Sequence, residues 1–384
     1  MNASTYRLFW AMLALQVPAV SVVIKYAPEE LRSLEAPALF VVCILGFLVL
    51  RRPAAWKDRL LGSWQVTIGL ILAMLVATAA IYPYADGLKE IGGGSDADDA
   101  VILGVTRLFQ GLYPYDIVTY SGHLLSPGPG WLLLWAPLVL LDLFWLAGPL
   151  SVGFLAWSLQ RSTGSWTSPN ALLLLLSSSL CLWEGLVTGS DYLMIGSMCA
   201  GLVLVLWSAQ SRRLVLILAA LLGLVATSRV VFLYLPAAAA VALWPRSKEN
   251  ARLVAIVGTA IAVVTHGLFL LWQPESFSPL HVIGMGGDYT TPWIRWFGVI
   301  ACLGVAVWIL RHLRTGASDP AACVERLWPT LLVPMAIIAL GGLELVDWSV
   351  RQWWTSRSLM IAAPVVVACW ALGTSSPSER VRPS

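Results

Sequence analysis

The sequence is short of charge. Asp, Glu, Lys and Arg make up only 12% of its 384 residues, while 58% are hydrophobic and mean hydropathy is +0.78. Soluble domains carry about twice that share of charge, so a soluble globular protein and a disordered chain are both excluded. Histidine is scarce as well, with four residues, and the six cysteines show no metal-ligand spacing, which leaves no basis for a zinc centre or a disulfide framework. Cys43, Cys181, Cys199, Cys302 and Cys369 sit in apolar runs and read as small hydrophobes, and Cys323 falls in a polar connector. A net charge of +3 is too small to suggest a nucleic-acid partner.

What the sequence has is apolar runs. A bilayer core about 30 Å thick needs roughly 17 to 25 apolar residues per helix. Runs of that kind occur near 8–24, 36–50, 65–82, 131–159, 171–188, 192–208, 214–227, 230–244, 252–272, 293–310, 328–346 and 359–373. The expected fold is an all-α polytopic membrane protein, one transmembrane domain over 1–384 with about 12 helices and both termini on one side. Arg7 precedes the first run and no small-residue cleavage site follows it, so that run reads as an uncleaved span. The 131–159 run is too long for one straight helix and carries Pro137, Asp142 and Pro149, which predicts a short re-entrant piece followed by a span. The runs flanking Arg229 are short and predict a hairpin that leaves Arg229 below the membrane surface. Most of the 20 tryptophans read as an interfacial belt.

Lys and Arg of short loops collect on the cytoplasmic side. With the termini inside, most of the 24 basic residues fall in the cytoplasm and most of the 21 acids outside. The expected location is the plasma or inner membrane, with any chemistry extracytoplasmic. The longest polar stretch, 82–130, is then an outer loop of catalytic type, since loops that long are usually functional or disordered. Val101, Ile102, Val105, Leu108 and Phe109 recur at helical spacing within it. That predicts an amphipathic interfacial helix over about 98–110, capped by Ser95, with Asp98 and Asp99 in its first turn and its acidic end facing water.

Asp96, Asp98 and Asp99 form an acidic cluster that could supply a general base for an attacking hydroxyl, or could simply cap and solvate the helix. Eight basic residues fall outside or near the outer interface: Lys25, Arg32, Lys89, Arg107, Arg229, Arg295, Arg351 and Arg357. An ionisable group within a membrane region is costly, which singles out Arg229. Arg351 and Arg357 flank Trp353 and Trp354, and a guanidinium fork suits a lipid phosphate; snorkelling, or pairing with Glu344 or Asp347, is the plainer reading. Glu184 and Asp191 frame a tight loop. His281 and Asp288 bound a glycine-rich loop that could hold sugar hydroxyls, and His266 reads as a packed core histidine.

Asp98, Gly111, Pro114-Tyr115, Tyr120 and Ser126-Pro-Gly-Pro-Gly-Trp131, running into Leu132 to Leu138 through Pro137, together resemble glycosyltransferase family 87. Members of that family are polyprenyl-phosphate-mannose-dependent mannosyltransferases of the GT-C superfamily. The Thr188-Gly-Ser-Asp191 turn and Arg229 are similar in position to the family's later turn and basic residue, although this chain has Ile102 where the family commonly has Tyr and Arg229 where it has Lys. The resemblance implies a GT-C-like bundle, with residues 131–384 forming a lipid-carrier groove. It implies inverting sugar transfer from a polyprenyl-phosphate donor, mannose first among the sugars, to the hydroxyl of a glycan or glycolipid acceptor. Asp98 or Asp99 would be the base, with Arg229, Arg351, Arg357, Asp191, Tyr115, His281 and Asp288 around the substrates. No cofactor is required, though the three aspartates could accept a divalent metal. Two other classes remain open: a lipid or small-molecule transporter or flippase, and an oligosaccharide polymerase or ligase. No internal repeat supports the first, and the early, acidic position of the large loop counts against the second.

Overall fold

The computed structural model describes residues 3–26, 41, 61–91, 96–280, 291–314, 319–349 and 353–373. The expected 36–50 span, apart from Val41, lies outside the described residues. The rest is all-helical, apart from one isolated bridge between Val118 and Leu124. Seven helices are long and apolar enough to cross a membrane, or up to nine if each of two bent pairs counts as one span. The protein therefore has the build of an integral membrane protein, and the twelve expected crossings are not reached among the described residues.

Among the described residues, helix α1 (Ala3–Tyr26) and α2 (Trp64–Gly87) are the first two candidate spans; α2 runs five residues past the expected end at 82, so Tyr82 belongs to the helix instead of the loop. After the loop helix α3 (Asp99–Phe109) comes α4 (Pro129–Leu140), which bends by 117° into the segment Phe144–Thr163, whose α-helical part is α5 (Ala147–Thr163). Asp142 lies at the bend with φ +56°, a left-handed conformation that a short polar side chain tolerates. The predicted break is therefore present. The 171–188 run, read as one span, is instead α6 (Thr167–Ser177) and α7 (Leu180–Val187), bent by 87°. Three serines make that break. Ser177 and Ser178 each donate to carbonyls of the preceding turn at 2.7 Å, and Ser179 donates to Leu15 O of α1 at 2.7 Å, so local side-chain bonds compete with the helix ladder.

Helix α8 (Asp191–Ser208) is the centre of the bundle. It is apolar all round and 78% buried, as a core helix must be, and it packs on α5, on α9 (Arg212–Ala226), and on the final pair formed by the 3-10 segment Trp354–Ala362 and α15 (Ala363–Leu372). Arg229 lies in the short turn between α9 and α10 (Leu235–Leu243), the place between the two short apolar runs where the sequence puts it. The outer helices are α2, α11 (Lys248–Trp272, with a π turn at Val254–Gly258) and α12 (Pro292–Arg314). They turn Val76, Leu271 and Ile300 outward, an arrangement that suits hydrocarbon, not water. Cys323, expected in a polar connector, is buried in α13 (Pro320–Glu325), next to α14 (Trp328–Leu345).

Candidate functional site

The loop after α2 is pinned to the bundle by its aromatic residues. Gly111, at φ +74°, ends α3, and the chain turns back so that Arg107 Nε donates to Tyr113 O at 2.9 Å. Tyr113 donates its hydroxyl to Phe269 O of α11 at 3.0 Å and meets Trp272 edge-on at 5.3 Å. Tyr115 donates to Pro127 O at 3.0 Å and is packed against Phe269 and Phe277. Its hydroxyl is thus committed to the backbone and its ring is 1% exposed, so Tyr115 serves here to pin the loop. At the loop's far end Gly128 N donates to Thr227 O at 2.9 Å. A β-carbon on Gly128 would stand 2.2 Å from that carbonyl, so the glycine allows the loop to dock on the turn that carries Arg229.

Helix α3 buries Val101 and Val105, while Phe109, expected on the same apolar face, is exposed. Its cap is Asp98, whose side chain accepts from Asp99 N at 3.0 Å; Ser95 lies outside the described residues. The acidic end expected to face water is half inside, with Asp98 only 1% exposed. Tyr82 donates to Asp98 Oδ2 at 2.5 Å, and Lys89 Nζ donates to Asp98 Oδ1 at 3.0 Å and to Asp99 Oδ1 at 2.6 Å. Lys89 also pairs with Asp86. Burial pushes the Asp98 carboxyl above the usual carboxylate range, against the opposing pull of Lys89 and the Tyr82 hydrogen bond. Burial alone would lower Lys89, but the three aspartates outweigh it and hold its ammonium protonated.

The expected Asp96, Asp98 and Asp99 set is split. Asp96 turns to the loop hairpin, accepting from Thr119 Oγ1 at 2.9 Å and from Ser121, with His123 Nδ1 at 3.1 Å. Burial pushes its carboxyl up, but these hydrogen bonds outweigh burial and hold it below the usual range. Asp86 takes its place, and one oxygen from each of Asp86, Asp98 and Asp99 lies within 4.8 Å of the others. The Lys89 ammonium contacts all three and already supplies positive charge there.

Beside this cluster lies the Thr188 to Asp191 turn. Gly189 has φ +63°, and a β-carbon there would stand 2.8 Å from Asp98 Cβ. Asp191 opens α8 and pairs with Arg229 at 2.6 Å, with side chains 2% and 16% exposed. The Arg229 guanidinium also lies 5.8 Å from the Tyr192 ring centroid. Arg357, on the 3-10 segment, acts electrostatically on Asp191, Glu184 and Asp96, and Glu184 pairs with Lys25 at the end of α1 at 3.9 Å. Segments far apart in sequence thus contribute to one polar layer at one end of the bundle.

Among the predicted residues, Asp98, Asp99, Asp191, Arg229 and Arg357 come together. Arg351, His281 and Asp288 lie outside the described residues. His266 is a core histidine as expected, its Nδ1 3.1 Å from Ala262 O. Tyr82 and Asp86 were not singled out from the sequence, although the Asp86-x-x-Lys89 spacing pairs opposite charges across one helical turn. Comparison with protein-family models, with curated proteins and with solved structures finds no match.

Proposed function

We propose that this protein is an extracytoplasmic, inverting glycosyltransferase that moves a sugar, mannose first among the candidates, from a polyprenyl phosphate to the hydroxyl of a glycan or glycolipid. The observation that carries the reading is Asp98. It is a buried carboxyl with raised proton affinity, held by Tyr82 and Lys89 in the same polar layer as Arg229 and Arg357. A general base works best with its pKa moved toward the operating pH.

Asp98 accepts the proton of the acceptor hydroxyl. The new bond from that oxygen to the anomeric carbon forms as the bond to the lipid phosphate breaks, with inversion at the carbon. The leaving phosphate carries the electron pair away, and the guanidinium groups of Arg229 and Arg357 neutralise its charge. Asp191 holds Arg229 in place. No metal is required for this chemistry.

Purified protein is tested for sugar transfer from defined polyprenyl-phosphate donors, comparing wild type with Asp98→Asn, Asp99→Asn and Arg229→Ala. Full activity of both aspartate variants removes the assignment of the base. The second reading, a transporter, draws on the two bent helix pairs beside buried charges, since transporter sites are often built from broken helices. Substrate flux in vesicles without transfer would favour it.

A further inference from the structure

The cavity at the other end of the bundle, about 680 Å³ and bounded by α1, α13 and α14, is apolar, and the pair of Arg7 and Glu325 beside it closes on itself at 2.7 Å. Groups open to a ligand stand instead at the Asp98 end, on the hairpin 118–124 of the loop after α2. Val118 and Leu124 bridge its base. Thr119 N donates to His123 O at 2.8 Å and Gly122 N to Thr119 O at 2.9 Å, with Gly122 at φ +80°. Three side chains of the hairpin, Thr119, Ser121 and His123, converge on one oxygen of Asp96, Oδ2. Oδ1 of that carboxylate accepts no hydrogen bond among the described residues, and the side chain is 20% exposed.

Tyr120 sits at the tip of this turn and is 44% exposed. Its ring centroid lies 6.0 Å from Lys89 Nζ, the ammonium that bonds Asp98 at 3.0 Å, and Asp96, Asp99 and Asp98 all act electrostatically on its hydroxyl. The ring thus borders the acidic layer. An exposed aromatic face beside an open carboxylate oxygen has the chemistry to recognise a sugar: the C–H face of the sugar packs on the aromatic plane, and its hydroxyls donate to the carboxylate.

We propose that the hairpin tip is the subsite for the acceptor of sugar transfer, and that this acceptor is itself a pyranoside. The pyranose ring stacks on Tyr120, and one of its hydroxyls donates to Asp96 Oδ1. The ammonium that touches Asp98 also lies beside the Tyr120 ring, so a sugar held there stands next to the proposed base. The three donors on Asp96 Oδ2 fix the carboxylate and a tyrosine has few torsions to freeze, so the subsite is preorganised. Its role in transfer rests on the function proposed above; the binding of a sugar ring does not.

The test is saturation-transfer difference NMR of the purified full-length protein without donor. Methyl mannopyranoside and methyl glucopyranoside are the probes, and glycerol is the polyol with no ring face. At least one pyranoside is expected to bind, its ring C–H protons the most strongly saturated, and glycerol is not. Tyr120→Ala weakens that binding about tenfold, the loss expected for truncating a central aromatic anchor. Tyr120→Phe and Tyr120→Trp keep it, since the ring plane is what binds, and Asp96→Asn weakens it several-fold. A tyrosine that only anchors the loop in the membrane interface would leave binding unmoved in Tyr120→Ala, and that result overturns the proposal. So does wild-type protein that binds neither pyranoside, unchanged binding in Asp96→Asn, or a loss in Tyr120→Phe as large as in Tyr120→Ala. Transfer assays separate this proposal from the function it rests on. An unchanged KM for the pyranoside acceptor in Tyr120→Ala removes the subsite and leaves Asp98 as base, whereas a protein that binds pyranosides through Tyr120 but transfers no sugar keeps the sugar site and removes the transferase.

Discussion

The two ends of the bundle use charge in different ways. At the Asp98 end the ionic groups are held inside: Asp98 and Asp191 have side chains only 2% exposed, and Lys89 13%. At the Arg7 end the pair is open, with side chains 26% and 37% exposed, and it borders an apolar cavity. Buried charges are costly to keep and costly to break, so the first arrangement suits work on a reacting group. An open pair costs little to rearrange.

Breaking that contrast begins with Asp98→Asn. The protein should fold, and initial rates of sugar transfer should fall by about 10²- to 10⁴-fold, the range for removal of a general base. Asp99→Asn, whose carboxylate contacts Lys89 from the side of the cluster, should lower them far less. Next, Asp191→Asn or Arg229→Ala each leaves one buried charge unpaired. Either should destabilise the protein by about 3–5 kcal/mol in denaturant or thermal unfolding, and replacing both together should recover part of the loss. Gly189→Ala follows, at about 1–3 kcal/mol, because it places a β-carbon in a left-handed turn and against Asp98; its transfer rate should fall with Asp98 displaced.

Lys89→Met sharpens the picture through pH. The base must be ionised, so activity is lost as pH falls through the Asp98 pKa, which burial has already raised and Lys89 pulls back down. Removing Lys89 raises it further, and the acid limb of kcat/KM against pH should move to higher pH. An acid limb that stays in place would separate the rate from Asp98. The smallest effect is expected at the open end, where Arg7→Gln should cost about 1 kcal/mol or less in thermal unfolding.

Much of the helical layout is legible in the residues because hydrophobic runs report burial in lipid or in the core directly. The break at Asp142 is legible too, since the run exceeds a membrane width and contains a residue that tolerates a left-handed turn. The break at Ser177 to Ser179 is hidden by continuous hydropathy; its signal is three adjacent hydroxyls able to bond backbone carbonyls. In the site, Asp98 and Arg229 stand out as charges in unusual places. Of their partners, Asp191 is legible as the acid of its turn, although no spacing says that it meets Arg229 38 residues on, and Tyr82 is not legible, because it reaches Asp98 across a boundary between helix and loop. Periodicity says which face of a helix is apolar. It does not say which other helix that face meets, and this is how Asp96 and Asp86 exchange roles.

Helix α1 spans both ends. Near its start Arg7 is tied to Glu325, near its finish Lys25 is tied to Glu184, and between them Leu15 O accepts from Ser179. A helix is stiff along its axis, and sliding it by a single turn, about 5.4 Å, would break all three ties at once. α1 is therefore latched in register like a bolt held at head and tip, and the two faces of the bundle share one fixed axial reference.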